Sequence, residues 1–386
     1  MRILLVTPFL PYPGVPHAGG KLVFHLLSTL TQNHSVCLVS RIFPGEEAHL
    51  SALRKIVPRI ETVSAEGPIK MRSSISLLRT FLSYRRLARK AKEILEREPF
   101  DICQVEFTET AILFRAPKGV PSILSLHDVI AKPAYRRYEN SRGGKWGFHW
   151  MKWKTLRALE RRAISGYGMV FVLSEVDREW ACRLYPGCSF RVLRYPAGLE
   201  FRNLPRAEIP GRILFVGALN RPQNVESVRY ILSHVWPVVR EKIPDAEFWV
   251  AGGGLGDDLR MDLSGDPRIR VPGWVDNLEE HYKSAAAFVA PVLVGGGIIV
   301  KILDALAAGV PVVTTTYGNE GIGAKEGEEI LVSDTPSAFT KSVLDLLGDP
   351  GLRGKIGERG KRFADAGFSM KGFEDAIGQS YREVRN

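Results

Sequence analysis

The sequence predicts an α/β protein built from two parallel-sheet domains. Three observations carry this. Short apolar runs alternate with helical stretches along the whole chain, the pattern of repeated strand–helix–strand crossovers. Runs such as Ile3–Thr7 and Ala287–Pro291 are continuously apolar rather than alternating, as strands covered on both faces are. A stretch rich in Pro, Gly and charge, Tyr195–Gly211, divides the 386 residues into two portions, each long enough for its own core.

In the first portion, Ile3–Thr7 reads as strand 1 and is followed by a Pro- and Gly-rich loop, Pro8–Gly20, and a helix over about Lys21–Thr31. Further strands are expected at Val36–Ser40, Ile60–Val63, Ile102–Val105, Ser122–Leu126, Met169–Val172 and Arg191–Leu193, with a long basic helical region at Ser73–Glu98. In the second portion strands are expected at Arg212–Val216, Glu247–Ala251, Ile269–Val271 and Leu331–Val332. Helices are expected at Glu226–Lys242, Leu278–Ala285, Pro336–Leu347 and Gly351–Ala366. Two such domains would leave a cleft, with ligands at the carboxyl ends of the strands facing it.

The most informative stretch is Ala287–Ile322. A buried strand, Ala287–Pro291, leads into Gly295, Gly296 and Gly297. A helix is expected over about Ile298–Ala308, stopped by Gly309 at the position where left-handed backbone is needed, and Val310–Thr315 reads as the next strand. Glycines before a helix let backbone N–H groups approach an anion, and the helix N-terminus adds partial positive charge there. Lys301 falls in the first turn and Asp304 three residues on, on one face of the helix. The pair suits a phosphate and a ribose diol, although the same spacing also describes an ordinary exposed helix pair.

Composition is that of a globular protein, 45% hydrophobic and 25% charged. No apolar run reaches the roughly 18–20 residues needed to span a bilayer. The segment MRILLVTPFLPYPG is broken by Pro8 and reads as a buried strand rather than a signal peptide. Cys37, Cys103, Cys182 and Cys188 lack metal or disulfide spacing and read as reduced thiols of a cytoplasmic protein. The net charge of +11 is uneven: through Glu200 there are 31 Lys/Arg against 17 Asp/Glu, and beyond it 22 against 25. That imbalance points the first half toward an anionic partner. Tyr135–Arg162 interleaves Tyr135, Tyr138, Trp146, Phe148, Trp150 and Trp153 with Lys and Arg. The segment suits an interfacial membrane helix or an acceptor lid; it also suits a helix packing its tryptophans on its own domain. The aromatics are not spaced as a stacking sheet, so no nucleic acid is expected.

Four segments in this order carry a family resemblance: VGALNRPQNVESV; the run ending VWPVVREKIPDAEFWVAGGG; VPGWVDNLEEHY; and APVLVGGG with KILDALAAGVPVVTTTYGNEGI. With Gly19-Gly20, EFTE at Glu106 and LHD at Leu126–Asp128 in the first half, the chain resembles the family 4 retaining glycosyltransferases of the GT-B fold over nearly its whole length. The resemblance implies two Rossmann-like domains facing a central cleft. Residues 1–200 would bind the acceptor and 201–369 the nucleotide sugar, with 370–386 packing back on the first domain.

The resemblance also implies roles. Asp304 stands where a glutamate holds the ribose hydroxyls, and the amides of Gly297, Ile298 and Ile299 would cradle the diphosphate, with Gly295 and Gly296 in the same turn. Gly217 would open the loop facing the diphosphate, Gly252 would lie near the nucleotide, and Trp274 and Val275 would meet the base. Gly318, Glu320 and Gly321 would border the sugar or diphosphate. Gly19 and Gly20 would give close backbone approach from the other domain, and His127 would sit beside the reacting carbon, with Glu106 and Asp128 on the acceptor side. The chain departs from the pattern at Gly296, where the family has a glutamate, at Ala218 and Gln223, where it has an arginine and a lysine, and at Ile299, often basic. Lys301 and Arg221 are the cations left to serve.

The expected function is transfer of a hexosyl group, with retention, from a UDP- or GDP-sugar to a hydroxyl acceptor in envelope polysaccharide, glycolipid or other glycoconjugate synthesis. His127, Lys301 and Glu320 would be the catalytic residues, and no metal or cofactor is expected. A lipid-linked acceptor and an anionic membrane surface are candidate partners, the latter at the inner face of the membrane. The alternatives are a nucleotide-sugar isomerase or hydrolase of the same fold, and a member that binds without turnover, which Ala218, Gln223 and Gly296 favour.

Overall fold

The computed structural model describes residues 1–15, 17–65, 74–115, 117–295 and 297–385. The chain divides into two compact units, Met1–Tyr195 with Met370–Asn386, and Pro196–Ser369.

The first unit holds β1 (Arg2–Thr7), β2 (Ser35–Ile42), β3 (Arg59–Ser64), β4 (Ile102–Glu106), β5 (Ser122–Ser125), β6 (Met169–Val172) and β7 (Phe190–Val192). Its helices are α1 (Ala18–Asn33), α2 (Leu50–Leu53), α3 (Ser74–Arg97), α4 (Thr108–Leu113), α5 (Ala131–Glu139), α6 (Trp146–Ile164) and α7 (Glu175–Leu184). The sheet order is β3-β2-β1-β4-β5-β6-β7, and every pairing is parallel. Ile3, Leu4, Leu5 and Val6 of β1 are all fully buried, because helices cover both faces of its sheet.

The second unit repeats the plan with β8 (Arg212–Val216), β9 (Glu247–Ala251), β10 (Ile269–Gly273), β11 (Ala287–Ala290), β12 (Val312–Thr314) and β13 (Leu331–Val332). Its helices are α8 (Pro222–Tyr230), α9 (Trp236–Lys242), α10 (Asp257–Leu263), α11 (Glu279–Ser284), α12 (Val300–Ala307), α13 (Thr316–Glu320), α14 (Pro336–Gly348) and α15 (Pro350–Gly367). The order β10-β9-β8-β11-β12-β13 is the doubly wound arrangement. Strand order therefore reverses between β8 and β11 here, and between β1 and β4 in the first unit.

The last helix, α16 (Met370–Arg385), belongs to the first unit. Phe373, Ile377 and Tyr381 recur every four residues and form its buried stripe. The Tyr381 hydroxyl donates to Gln104 Oε1 in β4, and the Phe373 ring lies 4.9 Å from that of Tyr195.

Three expectations need correction. The single helix expected at Glu226–Lys242 begins at Pro222 and widens into a π turn over Ile231–Val235 before α9. Pro237 explains this: a proline ring in a regular helix clashes with the carbonyl four residues back, and the wide turn makes room. The helix expected from Ile298 begins at Val300, so Ile298 and Ile299 lie before it. The strand expected at Val310–Thr315 spans only Val312–Thr314, and Thr315 caps the short helix α13, which Glu320 ends.

The far end of α12 closes as expected. Gly309 has φ +70°, its N–H donates to Leu306 O at 2.9 Å, and Val310 N–H donates to Ala305 O at 2.9 Å. These are the two bonds of a Schellman cap. A Cβ on Gly309 would meet nothing closer than 3.7 Å, so a side chain there is opposed by backbone conformation rather than by space. Gly309→Ala is therefore expected to cost the second unit about 1–2 kcal/mol, read as a lowered urea midpoint with unchanged slope. An unchanged midpoint would remove the left-handed cap from the account.

Candidate functional site

In the second unit the carboxyl ends of β8 and β11 flank the reversal point, where an open parallel sheet leaves a crevice. The exit of β11 is pinned by hydroxyls. Thr314 Oγ1 donates to Ala290 O, Ser227 Oγ to Pro291 O and Thr315 Oγ1 to Val292 O, each at 2.6 Å. Around this edge, backbone approaches backbone so closely that only glycine fits. A Cβ on Gly252 would lie 1.9 Å from Gly217 O, and one on Gly321 would lie 2.3 Å from Gly297 O. Four of the sequence-selected glycines thus meet in two pairs. Gly295 and Gly297 both carry positive φ, and Gly318 is buried within α13; Gly296 lies outside the described residues.

Lys301 is the second residue of α12. Its Nζ donates to Asn224 Oδ1 at 3.0 Å and lies 4.0 Å from the centre of the Phe215 ring. Asn224 is itself fixed, its Nδ2 donating to Ala218 O at 2.9 Å in the loop after β8. Lys301, Asn224 and Ala218 therefore tie the start of α12 to the loop after β8 across the reversal point. Burial of the ammonium, reinforced by the Arg221 charge, pushes the Lys301 pKa down to about 7. Arg221 is exposed at the N-terminal boundary of α8.

Lys301 and Asp304 share a helix flank by spacing, yet their charged ends differ in surroundings. Phe215 under Lys301 belongs to the core layer on one side of the sheet, whereas Asp304 lies beside Gly198 and faces Tyr282 in the other layer. Burial first, then the charges of Asp304 and Glu200, push the Tyr282 phenol well up. Trp274, just after β10, is 63% exposed and so lies outside the core. Its ring would lie 3.2 Å from a Cβ on Gly253, and its Nε1 donates to Asp276 Oδ1 at 2.9 Å. Val275 beside it is half-buried against the core. A hollow of about 270 Å³ walled by Arg212, Trp249 and His281 lies beside the start of β8, at the amino end of that strand and apart from the glycine pairs.

In the first unit the corresponding edge carries a buried carboxylate network. Glu106, the last residue of β4, is fully buried. Its Oε1 accepts from Gln104 Nε2 at 2.7 Å and Ser125 Oγ at 2.8 Å. Its Oε2 lies 2.7 Å from His127 Nε2 and 3.4 Å from the Tyr195 hydroxyl. His127 is 6% exposed, and its Nδ1 is buried with no hydrogen-bond partner among the described residues. Burial, then the Glu106 charge, raises the phenols of both Tyr195 and Tyr381 well above their ordinary range. Asp128 retains a solvent-exposed edge within densely packed surroundings. That desolvation outweighs the favourable His127 charge and pushes its carboxyl up to about 6.

Phe107 links the first turn of α1, where Gly19 and Gly20 lie, to this network. It stacks on the His127 ring at 3.7 Å between centres, and it has φ +69°, the one positive φ outside glycine among the described residues. A Cβ on Gly19 would lie 2.7 Å from Phe107 Cζ, and one on Gly20 would lie 2.6 Å from Val15 Cγ2. The smallness of both glycines is thus used by the protein's own packing: Gly19 admits the Phe107 ring, and Gly20 admits Val15 and the His17 side chain that caps α1.

Asn224, Phe215, Phe107, Gln104, Ser125, Tyr195 and Tyr381 were not among the residues selected from sequence. Asn224 carried a weak signal, an Asn near a helix start. The rest are ordinary strand, helix or connecting residues until the fold brings them together. Among the described residues no three His, Cys, Asp or Glu side chains are grouped to hold a metal, and no helix is long and apolar enough to cross a membrane.

Comparison with known proteins agrees with this architecture. Residues 19–193 match the family described as Glycosyltransferase Family 4, and residues 210–349 match Glycosyl transferases group 1. The chain is 24% identical over 361 residues to an uncharacterized 44.6 kDa protein in the cps region of Klebsiella pneumoniae, covering 89% of this chain and 90% of that one. It is 28% identical over 146 residues to the lipopolysaccharide core biosynthesis glycosyltransferase LpsE of Rhizobium meliloti, covering 35% and 41% of the two chains. Among solved structures, sucrose-phosphate synthase of Thermosynechococcus elongatus superposes with a TM-score of 0.74 at 16% identity, covering 100% of this chain and 99% of that one. HepE of Anabaena, in complex with UDP and glucose, gives 0.67 at 12% identity, covering 99% and 100%. With both halves matched and two Rossmann-like units in the GT-B class, the chain belongs to the group 1, family 4 glycosyltransferases.

Proposed function

We propose that this glycosyltransferase moves a hexosyl group, with retention, from a nucleotide diphosphate sugar to a hydroxyl acceptor in envelope polysaccharide or glycolipid synthesis, without a required metal. The second unit holds the donor and the first unit the acceptor. The observation that carries this reading is the reversal-point edge of the second unit. There Gly217 with Gly252, and Gly297 with Gly321, bring backbone together beside the Lys301 ammonium and the start of α12. Backbone amides, the helix N-terminus and a cation at one edge are what a diphosphate needs. The cps-region relative, the lipopolysaccharide core enzyme and the UDP-bound neighbour support the donor and acceptor classes.

Chemically, the bond between the sugar carbon and the phosphate oxygen breaks while the acceptor oxygen bonds to the same carbon. The acceptor proton passes to the departing phosphate oxygen. Arg221 and Lys301 offset the charge that develops on the diphosphate, in place of the cations absent at Ala218 and Gln223. Asp304 accepts from the ribose diol, Trp274 and Val275 meet the base, and Gly318 and Glu320 border the sugar. His127, oriented by Glu106, presents Nδ1 to the transferring sugar. Asp128 lies on the acceptor side. The two positions without a cation also favour a second reading, binding of the nucleotide sugar without turnover.

Incubation with UDP- and GDP-sugars, with and without acceptor extract, separates the readings. Acceptor-dependent nucleotide release is expected; tight binding with no release would leave only the second. His127→Ala is expected to lower kcat about a hundredfold with little change in donor affinity. An unchanged kcat would take His127 out of the mechanism.

Lys301 makes a pH-dependent prediction. Its pKa is lowered to about 7, so the free protein holds it partly neutral near that pH, and a bound diphosphate favours the ammonium. Donor binding is therefore expected to take up protons near neutrality and to weaken as pH rises through 7. Calorimetry in buffers of different ionisation enthalpy reads this uptake directly. Lys301→Met should abolish the dependence and weaken binding about tenfold; pH dependence that survives the substitution would assign it to another group.

A further inference from the structure

Helices α3 and α6 both pack on one core layer of the first unit. α3 does so through Leu87, Ala88, Ala91 and Ile94, and α6 through Ala163 and Ile164. In each case the buried residues belong to the C-terminal part of the helix. The N-terminal part carries large apolar side chains that stay in solvent: Leu78 and Phe81 on α3, and Phe148 and Met151 on α6 at 59% and 57% exposure. Topology points these two ends to one edge of the sheet, with α4 between the helices and in contact with both. α3 leads from β3 to β4 and α6 precedes β6, and helices that return the chain between parallel strands run opposite to them. Both N-terminal parts therefore lie at the edge where the strands end, on the same face of the sheet.

Basic side chains interleave with this apolar rim. α3 carries seven Lys/Arg against two Asp/Glu, and α6 five against one. Lys154 lies 5.7 Å from the Trp150 ring centre, and Trp146 stacks on Trp150 at 6.5 Å. Trp153, by contrast, packs against the core and stacks on Tyr138 at 5.5 Å. The helix thus divides its tryptophans: one seats it on the domain, and Trp146 and Trp150 face outward, 49% and 41% exposed.

We propose that this rim is a docking surface for an anionic lipid bilayer, with the apolar ends of α3 and α6 entering the headgroup layer and the flanking Lys and Arg pairing with lipid phosphates. The combination of tryptophan, long aliphatic side chains and a one-signed basic fringe is what a charged membrane interface selects. The inference rests on the transferase reading only where it supposes a membrane-borne acceptor; the surface itself needs no donor and no turnover.

The test is sedimentation of the full chain with vesicles of phosphatidylcholine containing phosphatidylglycerol, and with phosphatidylcholine alone, at low and high salt. Binding to the anionic vesicles that falls at high salt is expected, with weak binding to neutral ones. Phe148→Glu/Met151→Glu and, separately, Lys152→Glu/Lys154→Glu should each lower the partition coefficient about tenfold while leaving melting temperature and donor binding unchanged. Three results would overturn the proposal. One is a chain that stays in the supernatant with anionic vesicles at low salt. Another is equal partitioning of the variants and the parent. The third is a dimer in sedimentation velocity that Phe148→Glu/Met151→Glu dissociates, which would make the rim a self-association surface. Because the vesicles carry no sugar donor, failure here leaves the nucleotide-release experiment untouched.

Discussion

In a parallel sheet every strand ends at the same edge, since each crossover must carry the chain back to where the last strand began. Both units of this protein obey that constraint, and the features that matter chemically follow from it. In the second unit the edge gathers the loop after β8, the loop after β9 and the glycine turn after β11. Those loops can share one small region only by letting backbone touch backbone, which excludes a side chain at Gly252 and Gly321. In the first unit the same edge gathers Glu106 from β4, Ser125 from β5 and His127 just beyond it. Reversal of strand order then opens a gap at each edge, between β8 and β11 and between β1 and β4.

The two edges use that geometry differently. The second unit offers main-chain groups and a lysine held near neutrality by enclosure. The first offers a carboxylate with no room for water, satisfied by Gln104, Ser125, His127 and Tyr195. A fully buried carboxyl group is costly unless hydrogen-bonded on several sides, and removing a donor leaves one of its oxygens unsatisfied. This binds β4 to α16 through Tyr381 and Gln104, so the last helix of the chain supports a network at the edge of the first sheet.

How much of this the sequence discloses depends on the range of the interaction. Strands such as Ile102–Val105 and Met169–Val172 are legible because continuous apolar runs bounded by turn residues reflect burial directly. The cap at Gly309 is legible because a left-handed position leaves a glycine behind. The start of α12 is misplaced by two residues, since Ile298 and Ile299 fit a helix as well as the extended approach to it. The π turn before Pro237 has no periodicity of its own. The partners of Gln104 and Lys301 are invisible for another reason: Tyr381 lies 277 residues from Gln104, and Asn224 lies 77 from Lys301. Periodicity marks that a side chain is buried, not what it meets. The glycines at 19 and 20 carry a second constraint that their spacing does not show. Their small size reads as close backbone approach to a nucleotide, and within the fold it also admits Phe107 and Val15.

Charge distinguishes the two halves on physical grounds that spacing cannot reach. Residues beyond Glu200 carry 22 Lys/Arg against 25 Asp/Glu, so the half with the diphosphate-type edge is slightly acidic. Its average field does not draw an anionic donor in. Attraction there must come from groups within about 8 Å, the screening length at physiological salt. In the proposed donor site Arg221, Lys301 and the amides around the glycine turn would be such groups, with a short-ranged and geometric effect. The residues through Glu200 carry 31 against 17, far more positive charge than one carboxylate network can use. Much of the excess lies on α3 and α6 beside exposed aromatic and aliphatic side chains. Such a surplus acts by accumulation over an area, which is how a flat anionic surface is met, whereas a single small anion is held by two or three aimed donors.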